Sequence, residues 1–141
     1  MGAALLAGLF FLPAAGVCAP AAAPAVEVLA RRAGVVWGFD FLPDGRILFT
    51  ERDGFLGLLD PKSGAVAPVE GAPEVWAHGQ GGLLDAKVHP DFAQNGLVYL
   101  TWSQPVGEGA ATALGRGKLA GNRLENWQRL LLTNAGGKRG E

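Results

Sequence analysis

The residues best suited to chemistry lie in one stretch, Trp76-Ala-His-Gly-Gln-Gly-Gly-Leu-Leu-Asp-Ala-Lys-Val-His-Pro-Asp-Phe92. Gln80 carries an amide that both donates and accepts hydrogen bonds, a capacity that suits a hydroxyl-rich ligand. Gly79, Gly81 and Gly82 surround it and would let the backbone approach a flat ligand without interference from Cβ atoms, although they serve a tight turn equally well. His78 adjoins this loop and is the better functional candidate of the two histidines, whereas His89 precedes Pro90 and reads as a turn or capping residue. Strict alternation over Leu83–His89 puts Leu83, Asp85, Lys87 and His89 on one face of a strand and Leu84, Ala86 and Val88 on the other. Asp85 and Lys87 are then neighbours able to pair, and a pair of that kind is structural or solvated more often than catalytic.

Several other chemistries are excluded. Gly79-Gln80-Gly81 is a piece of a dinucleotide fingerprint that needs a strand before it and a helix after it, and the sequence predicts neither. The single cysteine, Cys18, forms no internal disulfide and no cysteine-based zinc cluster, and the two histidines stand eleven residues apart, which fits no compact metal motif. There is no Ser-His-Asp spacing and no Walker loop. With 12 Lys plus Arg against 13 Asp plus Glu, a net charge of -1 and dispersed basic residues, the chain has no field of the kind that phosphate backbones or anionic lipid select. This argues against nucleic acid as a partner.

The elements that must hold the Gln80 loop are strands. Glycine fills 22 of 141 positions, about twice its usual share of roughly 7%, and sits singly between short apolar runs, so a turn-rich all-β protein is expected. Candidate strands are Val26–Ala30, Val36–Leu42, Arg46–Glu51, Phe55–Asp60, Ala65–Val69, Leu83–His89, Leu97–Ser103, Thr112–Leu119 and Gln128–Thr133. Pro43-Asp44-Gly45, Asp53-Gly54, Asp60-Pro61-Lys62-Ser63-Gly64 and Asn95-Gly96 separate them with turn chemistry short enough for hairpins in series.

A weak internal repeat favours one architecture. Phe39-Asp-Phe-Leu-Pro-Asp-Gly-Arg-Ile-Leu-Phe-Thr50 corresponds to Ala86-Lys-Val-His-Pro-Asp91 followed, after a short insertion, by Asn95-Gly-Leu-Val-Tyr-Leu-Thr101. Aligned on the prolines the offset is 47, and on the threonines 51. Both are close to the ~40–50 residues of one propeller blade. About two blades are therefore expected, too few to close a ring of roughly 4–8, and the chain reads as the first part of a larger propeller; a small complete sandwich is the other reading of this length. Residues 1–25 carry no charged side chain, and an apolar run from Ala3 to Leu12 is followed by small-x-small cleavage patterns. They read as a signal peptide for export to the periplasm or beyond, interrupted by Pro13, Pro20 and Pro24 and so unsuited to spanning a membrane.

Taken together, Trp37-Gly-Phe-Asp-Phe-Leu-Pro-Asp-Gly-Arg-Ile-Leu-Phe-Thr-Glu51, His78-Gly-Gln-Gly-Gly-Leu-Leu-Asp85 and His89-Pro-Asp-Phe-Ala-Gln-Asn-Gly-Leu-Val-Tyr-Leu100 resemble the soluble pyrroloquinoline quinone (PQQ)-dependent glucose/sorbosone, or aldose sugar, dehydrogenases. The resemblance runs from Val26 to about Leu132 and covers the first third or so of a family member. It implies a six-bladed propeller and oxidation of the C1 hydroxyl of an aldose by hydride transfer to PQQ, with calcium ions holding cofactor and structure. It also implies a sugar-contacting role for Gln80. The family's histidine base and its cofactor and calcium ligands belong to later blades, so neither His78 nor His89 inherits the catalytic part, and the 141 residues by themselves are expected to be inactive. A non-catalytic secreted propeller that binds carbohydrate or protein is the alternative. The preferred sugar, the electron acceptor and the oligomeric state are not written in these motifs.

Overall fold

Pro-Asp punctuation turns the chain where the sequence predicts. In the computed structural model, which describes residues 23–134, β1 (Val36–Phe41) returns as β2 (Ile47–Glu51) through Pro43-Asp44-Gly45. There Gly45 takes φ 88° and donates its N–H to the Leu42 carbonyl at 2.9 Å, while the Asp44 carboxylate accepts the Arg46 N–H at 3.0 Å. β3 (Leu56–Leu59) and β4 (Val66–Pro68) complete a four-stranded antiparallel sheet in the order β1-β2-β3-β4. The second sheet repeats the plan with β5 (Leu83–Val88), β6 (Leu97–Val106), β7 (Gly109–Ala120) and β8 (Arg123–Leu132) in the order β5-β6-β7-β8. These are two consecutive blades of a β-propeller, with β1 and β5 innermost. All but residues 23–25 of the expected signal peptide, and Cys18 with them, lie outside the described residues.

The ladders confirm the repeat offsets. Phe39 faces Phe49, Asp40 faces Leu48 and Phe41 faces Ile47 in the first sheet. Ala86 faces Leu100, Lys87 faces Tyr99 and Val88 faces Val98 in the second. Each innermost strand also carries a register shift near its start, between Val36 and Gly38 and between Leu83 and Ala86. A bulge leaves an N–H without a ladder partner, and a threonine hydroxyl takes it up in both sheets. Thr50 Oγ1 accepts from Gly38 N–H and Thr101 Oγ1 from Asp85 N–H, each at 3.0 Å.

The blades share one core. Leu42, Leu48, Leu56 and Leu58 of the first sheet meet Leu83, Ala86, Val98, Leu100, Trp102 and Ala113 of the second. At the inner edge the joint is polar. Thr50 Oγ1 donates to the Leu84 carbonyl, and Asp40 Oδ2 accepts the Val88 N–H at 3.0 Å with Lys87 Nζ at 3.5 Å. Burial pushes the Asp40 carboxyl up, but the N–H groups of Val88 and Phe41 and the Lys87 charge outweigh it and hold the group below the usual carboxylate range. Gly38 permits the close approach, since a Cβ there would lie 2.9 Å from the Asp85 Cα.

Four sequence expectations change. Val26–Ala30 is not a strand; Glu27, Val28, Leu29 and Ala30 line a groove over the Phe39, Phe41, Ile47 and Phe49 face of the first sheet and enter no ladder. Phe92–Asn95 winds into a one-turn helix, α1, closed by Gly96 in the left-handed region, which is too short to leave a helical period in the sequence. The bulge breaks the alternation of β5, so Leu83 and Ala86 are both wholly buried while Asp85 is exposed. No Asp85–Lys87 pair forms among the described residues, because Lys87 reaches across to Asp40 instead.

Candidate functional site

Gln80 sits at the tip of a tight turn that leads into the start of β5, at the end of the blades where both innermost strands begin. Gly79 takes φ 55° and Gly81 donates its N–H to the His78 carbonyl at 2.8 Å. The turn is pinned on both sides. Trp76 N–H reaches the Ser103 carbonyl and Ser103 N–H reaches the Gly82 carbonyl, both at 2.8 Å, so the loop closes onto the end of β6. Leu83 N–H donates to the Arg52 carbonyl at 2.9 Å and ties it to the β2–β3 turn of the first blade.

Two of the glycines flanking Gln80 do different work. Gly82 has φ 144°, and a Cβ there would collide with the Arg52 carbonyl oxygen, so glycine is required for the blades to meet. Gly79 has open space around it and serves only the left-handed turn. The tight turn is thus what these glycines form, and the close approach that a bare backbone allows is taken up at Gly82 by Arg52 of the first blade. The His78 ring packs on Trp76 with centroids 4.7 Å apart, and His78, Gly79 and Gln80 are exposed at the tip.

The sequence placed His78 and Gln80 together, and the structure keeps them so. His89 lies elsewhere, beside α1, where its Nδ1 accepts the Asp91 N–H at 3.0 Å and stands 2.9 Å from Asn95 Nδ2. That is the turn-capping part expected of it. The supports of the site, Arg52 and Ser103, were not legible in advance, because both act through backbone groups that any residue type supplies.

Chemically, the arrangement displays an amide on a rigid, solvent-facing turn. It can exchange hydrogen bonds with sugar hydroxyls. A carboxylate-bearing quinone needs facing cations, and calcium needs several convergent oxygen ligands. Arg52, which backs the turn, is paired with Asp53 at 3.5 Å, and among the described residues no group of three His, Cys, Asp or Glu is placed to hold a metal. These residues do not by themselves cradle either group.

Comparison with known proteins agrees with the geometry. Residues 34–141 match the family described as Glucose / Sorbosone dehydrogenase. Aldose sugar dehydrogenase YliI of Escherichia coli (strain K12) is 46% identical over 104 residues, covering 70% of this chain and 28% of that protein. A crystal structure of a glucose dehydrogenase superposes with a TM-score of 0.76 at 37% identity, covering 80% of this chain and 34% of the other. The PQQ-bound form of an aldose sugar dehydrogenase from Streptomyces coelicolor shares the fold, with a TM-score of 0.64 at 23% identity over 78% of this chain and 34% of that one. The chain thus spans about a third of the length of these relatives.

Proposed function

This chain belongs to the glucose / sorbosone dehydrogenase family, and from that premise we propose that it supplies the first two blades of an enzyme that oxidises the C1 hydroxyl of aldose sugars, with hydride passing to PQQ. The observation that carries the reading is the Gln80 turn. An amide held at the mouth of an innermost strand, fixed by the Trp76–Ser103 and Ser103–Gly82 backbone bonds, is positioned to bind and orient a sugar through its hydroxyls. Bound PQQ would supply the two-electron acceptor. Gln80 itself moves no proton; its part is to hold the substrate. A quinoprotein relative supports PQQ; calcium is proposed with it, and the residues that would hold both are assigned to later blades. Export to the periplasm or beyond, through residues 1–25, belongs to the same reading.

The test replaces the matching region of the E. coli relative with residues 34–134 of this chain and follows aldose-dependent dye reduction with PQQ and calcium supplied. The chimera is expected to oxidise aldoses, and Gln80→Ala in it should raise KM by about tenfold, the worth of one or two neutral hydrogen bonds. A folded chimera that binds PQQ but leaves the dye oxidised with every aldose would overturn the reading in favour of a carbohydrate-binding propeller.

A further inference from the structure

The two histidines use their rings differently. His89 Nδ1 accepts the Asp91 N–H and stands beside Asn95 Nδ2, so that ring is committed to capping a turn. His78 has no such commitment. Among the described residues neither of its ring nitrogens has a hydrogen-bond partner, and the ring is held only by packing on Trp76, centroid to centroid at 4.7 Å with a tilt of 48°. Sugar binding by Gln80 leaves this imidazole unused.

The turn puts the imidazole next to the Gln80 amide. Gly81 N–H donates to the His78 carbonyl at 2.8 Å, so His78, Gly79, Gln80 and Gly81 make one β-turn, with His78 and Gln80 at its first and third positions. The residue between them is glycine, and a Cβ built on it would meet nothing within 4 Å. The two polar side chains therefore flank open space instead of a third side chain. Both are exposed at the end of the blades where β1 and β5 begin. Trp76, which backs His78, is tied through its own N–H to the Ser103 carbonyl, so the support belongs to the frame of the second blade. A ring held on such a support loses little freedom when a ligand arrives, and a contact prepared in this way gains affinity from that.

We propose that His78 is a second sugar contact, its imidazole and the Gln80 amide taking two neighbouring hydroxyls of one aldose, and that His78 thereby sets which sugars are accepted. This rests on the reading of the Gln80 turn as a sugar site. A neutral imidazole offers one donor and one acceptor nitrogen, and an amide offers both kinds of group, so each can serve a hydroxyl that itself donates and accepts. Two such groups separated by a single glycine suit hydroxyls on adjacent carbons, not hydroxyls on opposite sides of the ring. A site that hydrogen-bonds a hydroxyl selects against the sugar that lacks it. His78 moves no proton in this scheme, so its effect falls on binding and KM and leaves kcat alone.

The test uses the chimera that carries residues 34–134, with PQQ and calcium supplied, and compares His78→Phe with the parent. Phenylalanine keeps a ring on Trp76 and removes both nitrogens. It should raise KM for glucose by about three- to tenfold, the worth of one neutral hydrogen bond, with kcat within about twofold. The monodeoxyglucoses then locate the contact. For one of them the His78→Phe penalty should disappear, because the hydroxyl that the imidazole would meet is already missing, and the Gln80→Ala penalty should disappear for the sugar lacking the hydroxyl on an adjacent carbon. A His78→Phe chimera with the parent's KM would show that the ring serves only to pack on Trp76, and a penalty that persists undiminished with every monodeoxyglucose would show that it meets no hydroxyl; either result overturns the proposal. Should the folded, PQQ-loaded chimera oxidise no aldose, the oxidation reading falls by itself, and calorimetry with glucose on that same protein decides the contact. Binding that His78→Phe weakens upholds it, whereas binding that the variant leaves unchanged, or no binding at all, overturns it.

Discussion

In the second sheet Ala86, Val98 and Leu100 are wholly buried against the first, whereas Phe39, in the ladder position of Ala86, is 56% exposed, and Ile47 and Phe49 are covered by Ala30, Phe55 and Val66 instead of by another blade. The backbone pairing is the same in both sheets. Pairing fixes which way a side chain points, and the neighbour decides what that direction is worth. The outer face of the first sheet also carries an ion pair that its counterpart lacks. Glu51, at the repeat position of the buried Trp102, is nearly buried and pairs with Arg32 at 2.6 Å, and Arg32 in turn lies 4.4 Å from the centroid of the Phe55 ring.

Substitutions at matched ladder positions put that contrast to the test. Leu100→Ala removes a wholly buried side chain from the shared core and should cost about 2–5 kcal/mol, whereas Phe39→Ser should cost under about 0.5 kcal/mol. Denaturant midpoints measure both, and equal losses would show that the two faces are covered alike. The threonines give the next largest difference. Thr50→Val loses the bond to the Gly38 N–H and the bond across the joint, and should cost about 1–3 kcal/mol. Thr101→Val loses one bond at a more open site and should cost about 1 kcal/mol or less.

The sequence carried the strands and the blade repeat because Pro43-Asp44-Gly45, Asp60-Pro61 and Asn95-Gly96 state their turns locally, and because two runs of apolar residues share one spacing. It also carried the Gln80 turn, whose glycines announce a left-handed backbone at Gly79. Contacts between distant residues were out of its reach. Nothing near Asp40 signals that its carboxylate will meet the Val88 N–H of the next blade, and nothing near Leu84 signals the bulge. Val26–Ala30 has the pattern of a strand but lacks a ladder, since pattern alone supplies no partner.

Acid titration separates the joint from the turns. The folded Asp40 carboxyl lies below its ordinary value, so its stabilisation is fully present above the unfolded pKa of about 4 and is lost as pH falls through the folded value. Asp40→Asn should therefore flatten the acid limb of the stability profile below about pH 4, read by denaturant melts at stepped pH; an unchanged slope would mean that the carboxylate is not held across the joint. The loop glycines form a further pair. Gly82→Ala should disturb the Arg52–Leu83 bond and lower the melting temperature, while Gly79→Ala costs only the left-handed conformation, about 1 kcal/mol.

Residue-resolved hydrogen exchange in the native chain tests most directly whether the sheets are successive blades joined through one core. The account predicts that the Leu48 and Thr50 amides of the first sheet and the Val98 and Leu100 amides of the second open with one shared free energy, equal to that of global unfolding. Two separate opening energies, one for each sheet, would contradict it.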